Sequence, residues 1–519
     1  MDFTEAYGHA GIDTVSFSPG STFIASDVVV RVSGTLQILQ ALTWSPDGLF
    51  LLASGYKDDG VSYILPMDPD ASVTDGSDDN QGWVARLAGG IAGVDRAQWV
   101  PVWRVPSVMQ FSAHTGGMLY SLADQSFTSF PQTVQPKLFA LPQSEYFSVV
   151  QREHDDVLCV YSPESLDCPT VTEPNVWCLR KSIRLHTHEC SGVAWSPEGD
   201  TVAVWDSLLE YRLALYTFEG THLATYVIEG GHSIPHILTA VNADKARLIL
   251  ADRPQTAQRA RRIPVRSHKH LESTSLSSSA SRRASGSNDA KFAGGALGIS
   301  RVVWHPAGTF LAVGSYHGVV HVLCSDDWSC AYTIDLRPSS LARSSATTAI
   351  WREPKRWLEG TQGHGIVSLQ CEFLPFDSAA IIDRDPLKQG ISWMAWNTDG
   401  SALAIRNDSM PNSVFVYNFE GFTEKRVDAV LSLAAILEYS NPVSAIAWRP
   451  GVHNTLAVVT GQDSVYLFSN SGESKQSAEA IAIPNENFHA SRLIWSPSGE
   501  SLMLVDHNSY CCVIPAQSS

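Results

Sequence analysis

One short pattern returns along this chain, and its repetition restricts the fold more than any other feature. It opens with a brief apolar run ending in an aromatic, passes through a Ser-Pro-x-Gly segment, and resumes as a second apolar run. Clear copies are VSFSPGSTFIAS from Val15, LTWSPDGLFLLAS from Leu42, VAWSPEGDTVAVW from Val193, VVWHPAGTFLAVGS from Val302, MAWNTDGSALAIR from Met394, IAWRPGVHNTLAVVT from Ile446 and LIWSPSGESLMLV from Leu493. Two degenerate copies, AQWVPVWRVPSVMQFS from Ala97 and LFALPQSEYFSVVQ from Leu138, fall in the widest early interval.

Each copy has one physical meaning. The first run is short and β-prone, and its aromatic can fill the space between neighbouring sheets. Pro and Gly then set a tight turn, and the second run returns antiparallel. A third strand such as VVHVL and a more polar fourth complete the unit. Four strands in roughly 40–55 residues is the period of a propeller blade. The chain therefore reads as all-β, a single β-propeller of seven to nine blades, with residues 1–229 forming its first half and 299–519 its second. N- and C-terminal strands sharing one blade would leave no open sheet edge. Phe17 and Trp44 are too close for a full first blade, so that blade reads as trimmed.

Two intervals are too long for blade connections. Residues 230–298 are rich in Ser and Arg and read as a disordered basic insert, with a basic binding arm as the alternative. Eleven Lys and Arg face four Asp and Glu over 241–300, leaving about −24 on the rest of a chain whose total is −17. Ser285, after Arg282 and Arg283, fits a basophilic kinase site. The interval 337–390 carries Trp351, Trp357, Phe373 and Phe376, which suggest partial packing.

So acidic a surface repels phosphate backbones and argues against nucleic acid as a partner. The opening MDFTEAYGHAG has no signal-peptide character, and no apolar run is long enough to span a membrane, so neither export nor membrane attachment is expected. Nine cysteines without a CxxC pair read as reduced thiols of a cytosolic protein.

Catalytic signatures do not assemble. Ser54 and Lys57 match the spacing of a serine acylase, but they fall at a strand end where the lysine cannot reach the hydroxyl. His186, His188 and Cys190 alternate on a strand without a second ligand cluster. Asp68, Asp70, Asp75, Asp78 and Asp79 crowd one loop lacking the glycine and helices of a calcium site. The reading is a protein that is not an enzyme and uses no cofactor or metal.

Three stretches go beyond a generic repeat: AVWDSLLEYRLALYTFEGTHLATY from Ala203, FLAVGSYHGVVHVL from Phe310 and LAIRNDSMPNSVFVYNFEG from Leu403. With TLQILQ at Thr35 and the N-terminal MDFTEAY, they resemble the WD-repeat-eight family of centrosomal and spindle-pole WD-repeat proteins, from residue 1 to about 510. The family's connection after TLQILQ is longer than the one here, and its members lack so long a basic insert. The resemblance implies a non-enzymatic adaptor located in the cytoplasm and cytoskeleton, at the centrosome or spindle pole body. The implied partners are a coiled-coil anchoring protein, of the afadin- and alpha-actinin-binding type in animals, and a minus-end-directed kinesin. Microtubules would be held indirectly through them.

Candidate partner-binding residues come from those stretches. Trp205, Asp206, Glu210 and Tyr211 place charge and two aromatics at a strand-turn junction, and Arg406, Asn407 and Asp408 follow a buried strand. Aromatic and arginine side chains suit interface hot spots. Alternatively, Asp206 and Asp408 cap tight turns. Rival functions are a ribosome-associated propeller of the translation-initiation type and a ubiquitin-ligase substrate receptor. The latter is disfavoured because Ser207 and Leu208 follow Trp205-Asp206 where an arginine is usual.

Overall fold

Where the repeat carries its serine, that side chain shows how the turn is held. Ser45 Oγ accepts the Phe50 N–H at 2.9 Å, Ser196 Oγ that of Thr201 at 3.1 Å, and Ser496 Oγ that of Ser501 at 3.1 Å. All three serines are buried, so the side chain satisfies a backbone donor that water cannot reach. Asn397 does the same for Ala402 at 2.9 Å. The turn glycine adopts the left-handed conformation, as Gly199 does at φ 71°.

The computed structural model describes most of residues 2–514; the described set omits chiefly 9–13, 27–38, 56–60, 68–84, 89–93, 164–176, 228–235, 241–297, 342–347, 375–388 and 421–429, with some shorter loop stretches. Its strands form nine sheets, and each of the nine sequence motifs opens one of them. Blade 1 shows Val15–Phe17 paired with Ile24–Ser26. Blade 2 runs from Leu39–Trp44 to Ala85–Ala88, blade 3 from Arg96–Trp99 to Phe127–Phe130, and blade 4 from Phe139–Ala140 to Trp177–Arg184. The two degenerate motifs thus build complete four-stranded blades. Blade 5 starts at Cys190–Trp195, blade 6 at Ile299–Trp304, blade 7 at Ile391–Trp396, blade 8 at Ala445–Trp448 and blade 9 at Arg492–Trp495.

Neighbouring blades are joined by the motif aromatics. The Trp44 indole donates to the Ser16 carbonyl (3.4 Å), Trp99 to Thr43 (2.9 Å), Trp304 to Ala194 (3.0 Å), Trp396 to Val303 (3.4 Å), Trp448 to Ala395 (3.0 Å) and Trp495 to Ala447 (3.3 Å). In each pair the acceptor directly precedes the previous blade's own aromatic. Blade 4 has Ala140 at the aromatic position, and there the Leu138 N–H reaches Gln98 Oε1 instead, at 3.3 Å. Trp195 in turn donates to Ser148 Oγ at 2.9 Å.

The ring closes through blade 9. Its strand Ser509–Ile514 pairs antiparallel with Asp2–Phe3 and Tyr7–Gly8, so the two ends of the chain share a sheet. Val15 of blade 1 packs against Met503 and Val505 of blade 9, and the Ser498 N–H donates to Ser21 Oγ at 3.0 Å.

Both long intervals depart from simple loops. Within 230–298, His236–Ala240 adds a fifth strand to blade 5 against His222–Val227, so the insert contributes to the sheet at its start. Ser285, the acidic cluster from Asp68 to Asp79 and the trimmed part of blade 1 lie outside the described residues. The 337–390 interval straps two blades together. Its strand Thr348–Arg352 runs parallel to the outer strand of blade 7, with Gln370–Leu374 beyond it, while Ile366–Ser368 pairs with the outer strand of blade 8. Trp357 is buried and Trp351 half-buried, as expected of packing residues, whereas Phe373 is 70% exposed. Phe376 lies outside the described residues.

Candidate functional site

The antiparallel order a-b-c-d places the Ser-Pro-x-Gly turns on one face and the turns between second and third strands on the other. Both groups of expected contact residues occupy the second face. Thr201–Asp206 ends the second strand of blade 5, and Ala402–Asn407 ends that of blade 7.

The structure divides these residues by role. Asp206 is buried, and its Oδ1 accepts the backbone N–H groups of His188 at 2.8 Å and Glu189 at 2.9 Å. Arg212 Nε lies 3.4 Å from the other oxygen, too oblique for a hydrogen bond. Burial pushes the Asp206 carboxyl above its ordinary range, while the two N–H donors pull it down. Asp206 therefore pins the connection entering blade 5. Asn407, also buried, has the matching position and duty in blade 7. Its Nδ2 donates to the Leu336 carbonyl at 2.8 Å, and its Oδ1 accepts the Ser409 N–H at 3.0 Å.

Tyr211 is likewise interior, with its hydroxyl 3.0 Å from His321 Nδ1 of blade 6. Its ring belongs to the core between blades 5 and 6, which removes it from any exposed contact set. The sequence marked it as an aromatic beside a turn, and periodicity alone does not say which way such a ring points.

What remains accessible is smaller. Glu210 is exposed, 3.3 Å from His188 Nδ1 and 3.7 Å from Arg212. Trp205 is half-buried and lies over Gly192, where an added Cβ would sit 2.1 Å from the indole. That contact requires glycine there. Arg406 and Asp408 are half-buried and ion-paired at 3.2 Å, and Ser392 Oγ donates to Asp408 at 2.6 Å.

One residue escaped sequence reasoning. Leu209, at the tip of the blade 5 turn, is 78% exposed and is flanked by Glu210. The only signal in the sequence was an apolar side chain inside a turn. The Gly298 N–H donates to the Leu208 carbonyl at 2.7 Å, so the chain returning from the basic insert lands against this turn.

The other early candidates disperse. His186 stacks on Tyr216, whose hydroxyl is 3.2 Å from its Nδ1, and Cys190 is buried with its thiol pushed up to about 12 by burial. Among the described residues no three His, Cys, Asp or Glu side chains are grouped to hold a metal. Ser54 sits within a strand of blade 2, and Lys57 lies outside the described residues. No described helix is long and apolar enough to cross a membrane.

The nine motif-led sheets, the closed ring and the polar-capped turns define a WD-repeat β-propeller scaffold. The model of the WD domain, G-beta repeat, matches residues 290–322, which cover the first strands of blade 6. Mouse WD repeat-containing protein WRAP73 is 24% identical over 98% of this chain and 95% of its own length. Along nearly the whole of both sequences the chain is thus similar to a WD-repeat protein of the WRAP73 type. Among solved structures, Sqt1 from Chaetomium thermophilum aligns with a TM-score of 0.46 and 12% identity over 92% of this chain and 96% of its own. Sqt1 from Saccharomyces cerevisiae gives 0.46 and 10% over the same shares.

Proposed function

We propose that this propeller is a non-catalytic adaptor at the centrosome or spindle pole body. It joins a coiled-coil anchoring protein to a minus-end-directed kinesin and thereby tethers microtubule minus ends and supports spindle assembly. The observation that carries this reading is the similarity to mouse WRAP73 along nearly the whole of both chains. Physical argument supports it. A closed ring of sheets is stiff, so little conformational entropy is lost when a partner docks. Outside the insert the chain is strongly acidic, which disfavours direct attachment to the acidic microtubule lattice. Partners must then supply the basic contacts.

The candidate face offers the docking chemistry: Leu209 as an apolar anchor with Trp205 and Glu210 beside it on blade 5, and Arg406 and Asp408 on the same face of blade 7. The test is microtubule pelleting with the purified protein, first alone and then with the coiled-coil partner and kinesin. Pelleting only in the ternary mixture is expected. Strong pelleting of the protein alone with residues 241–297 deleted would overturn the adaptor reading. Leu209→Asp together with Arg406→Glu should weaken partner capture at least about tenfold, as loss of interface anchors does.

A further inference from the structure

The innermost strands carry a charge pattern opposite to that of the rest of the ring. In each, alternate residues such as Ala97 and Trp99, Val193 and Trp195, or Leu493 and Trp495 are buried between blades. The residues between them form the inner wall, because strand side chains alternate. Three positions before the aromatic, this wall presents Arg96 in blade 3, Arg301 in blade 6 and Arg492 in blade 9, all exposed. The three arginines stand three blades apart around a ring of nine.

Lys137, exposed at the entry to blade 4, adds a fourth cation, 5.2 Å from the Phe139 ring centre. Burial lowers its pKa first, and Arg96 and Arg301 lower it further. Arg301 belongs to blade 6, so its field reaches Lys137 past blade 5, where the corresponding position is Gly192 and carries no side chain. These cations share one space.

A cavity of about 560 Å³ opens on this wall between blades 2 and 3, lined by Thr43, Ser54, Asp95, Arg96 and Gln98 among others.

We propose that the inner wall binds a compact polyphosphate, several phosphate groups on one small scaffold, seated in the cavity between blades 2 and 3. Arg96 pairs with a phosphate through its guanidinium fork, and Lys137 from the adjacent blade 4 and Arg301 from blade 6 add positive charge on the same wall. Cations arriving from separate blades fit an anion with charge on several sides better than an extended acidic peptide. The cavity volume suits a small molecule, and guanidinium groups match phosphate geometry. The single carboxylate on the cavity wall is Asp95, beside Arg96. This inference is independent of the adaptor reading.

Calorimetric titration of the full chain with myo-inositol hexakisphosphate, at physiological salt, tests it. Saturable binding at one site is expected. Arg96→Ala with Lys137→Ala should weaken it by more than about tenfold, since each removes a charge-assisted bond. Lys181→Gln on the outer strand of blade 4 should leave it unchanged. Should the double variant fail to fold, the exposed Arg301→Gln serves the same comparison. Co-sedimentation with vesicles containing phosphatidylinositol bisphosphate separates a lipid headgroup from a free ligand. Absence of binding, equal binding by the variants, or displacement by polyglutamate at lower concentration than by inositol hexakisphosphate would overturn the proposal.

Discussion

The Tyr211 hydroxyl and His321 Nδ1 lie 3.0 Å apart between blades 5 and 6, and both residues are buried. Tyr211 stands next to an exposed turn in sequence and yet serves the seam between two sheets. Tyr211→Phe keeps the ring and deletes one hydrogen bond, so it should cost about 1 kcal/mol of stability. Partner capture should not change. Denaturant unfolding and a pull-down on the same variant check both halves, and lost capture by a folded variant would place Tyr211 back at the interface.

His305 makes stability depend on pH. It occupies the serine position of its motif, buried, with Nδ1 accepting the Ala307 N–H at 3.1 Å and Nε2 3.1 Å from the Gly400 carbonyl. That pattern requires the neutral ring. Burial lowers its pKa below the ordinary 6.5, outweighing the Gly400 carbonyl and Asp399, which raise it. At pH above 6.5 both folded and unfolded chains hold it neutral, and stability is complete. As pH falls below 6.5 the unfolded chain gains a proton that the folded one resists, and stability declines. His305→Ser, the residue used by four other copies, should flatten the fall in melting temperature between pH 7.5 and 5.5. His222 and His317 shift in the same direction, so the slope should shrink without vanishing.

Glu353 fastens the strap across blades 7 and 8. Its Oε1 accepts Trp357 Nε1 at 2.8 Å and the Tyr466 hydroxyl at 2.7 Å, and its Oε2 accepts the Ser440 N–H at 2.8 Å. Glu353→Ala strips three donors of their acceptor and should destabilise the fold by roughly 2–4 kcal/mol. Faster proteolysis within 348–374, with the other blades protected, is the expected readout. Uniform loss of protection around the ring would show that the strap is not a separate unit.

The sequence by itself determined the blade. Its apolar runs, buried serine and turn glycine act through contacts a few residues apart, so the nine motifs correspond to nine sheets, the weak copies at Ala97 and Leu138 included. It also marked Trp357 as a packing residue. Only the tertiary structure decided which side chains of a turn face solvent. Asp206, Tyr211 and Asn407 turn inward because segments distant in sequence supply their partners: the blade 5 entry at His188 and Glu189, the blade 6 strand residue His321, and the connection at Leu336. Leu209, beside them in the chain, has no blade above it and stays exposed. The inner wall follows the same logic. Arg96, Arg301 and Arg492 are far apart in sequence, and only closing the ring aligns their strands around one axis.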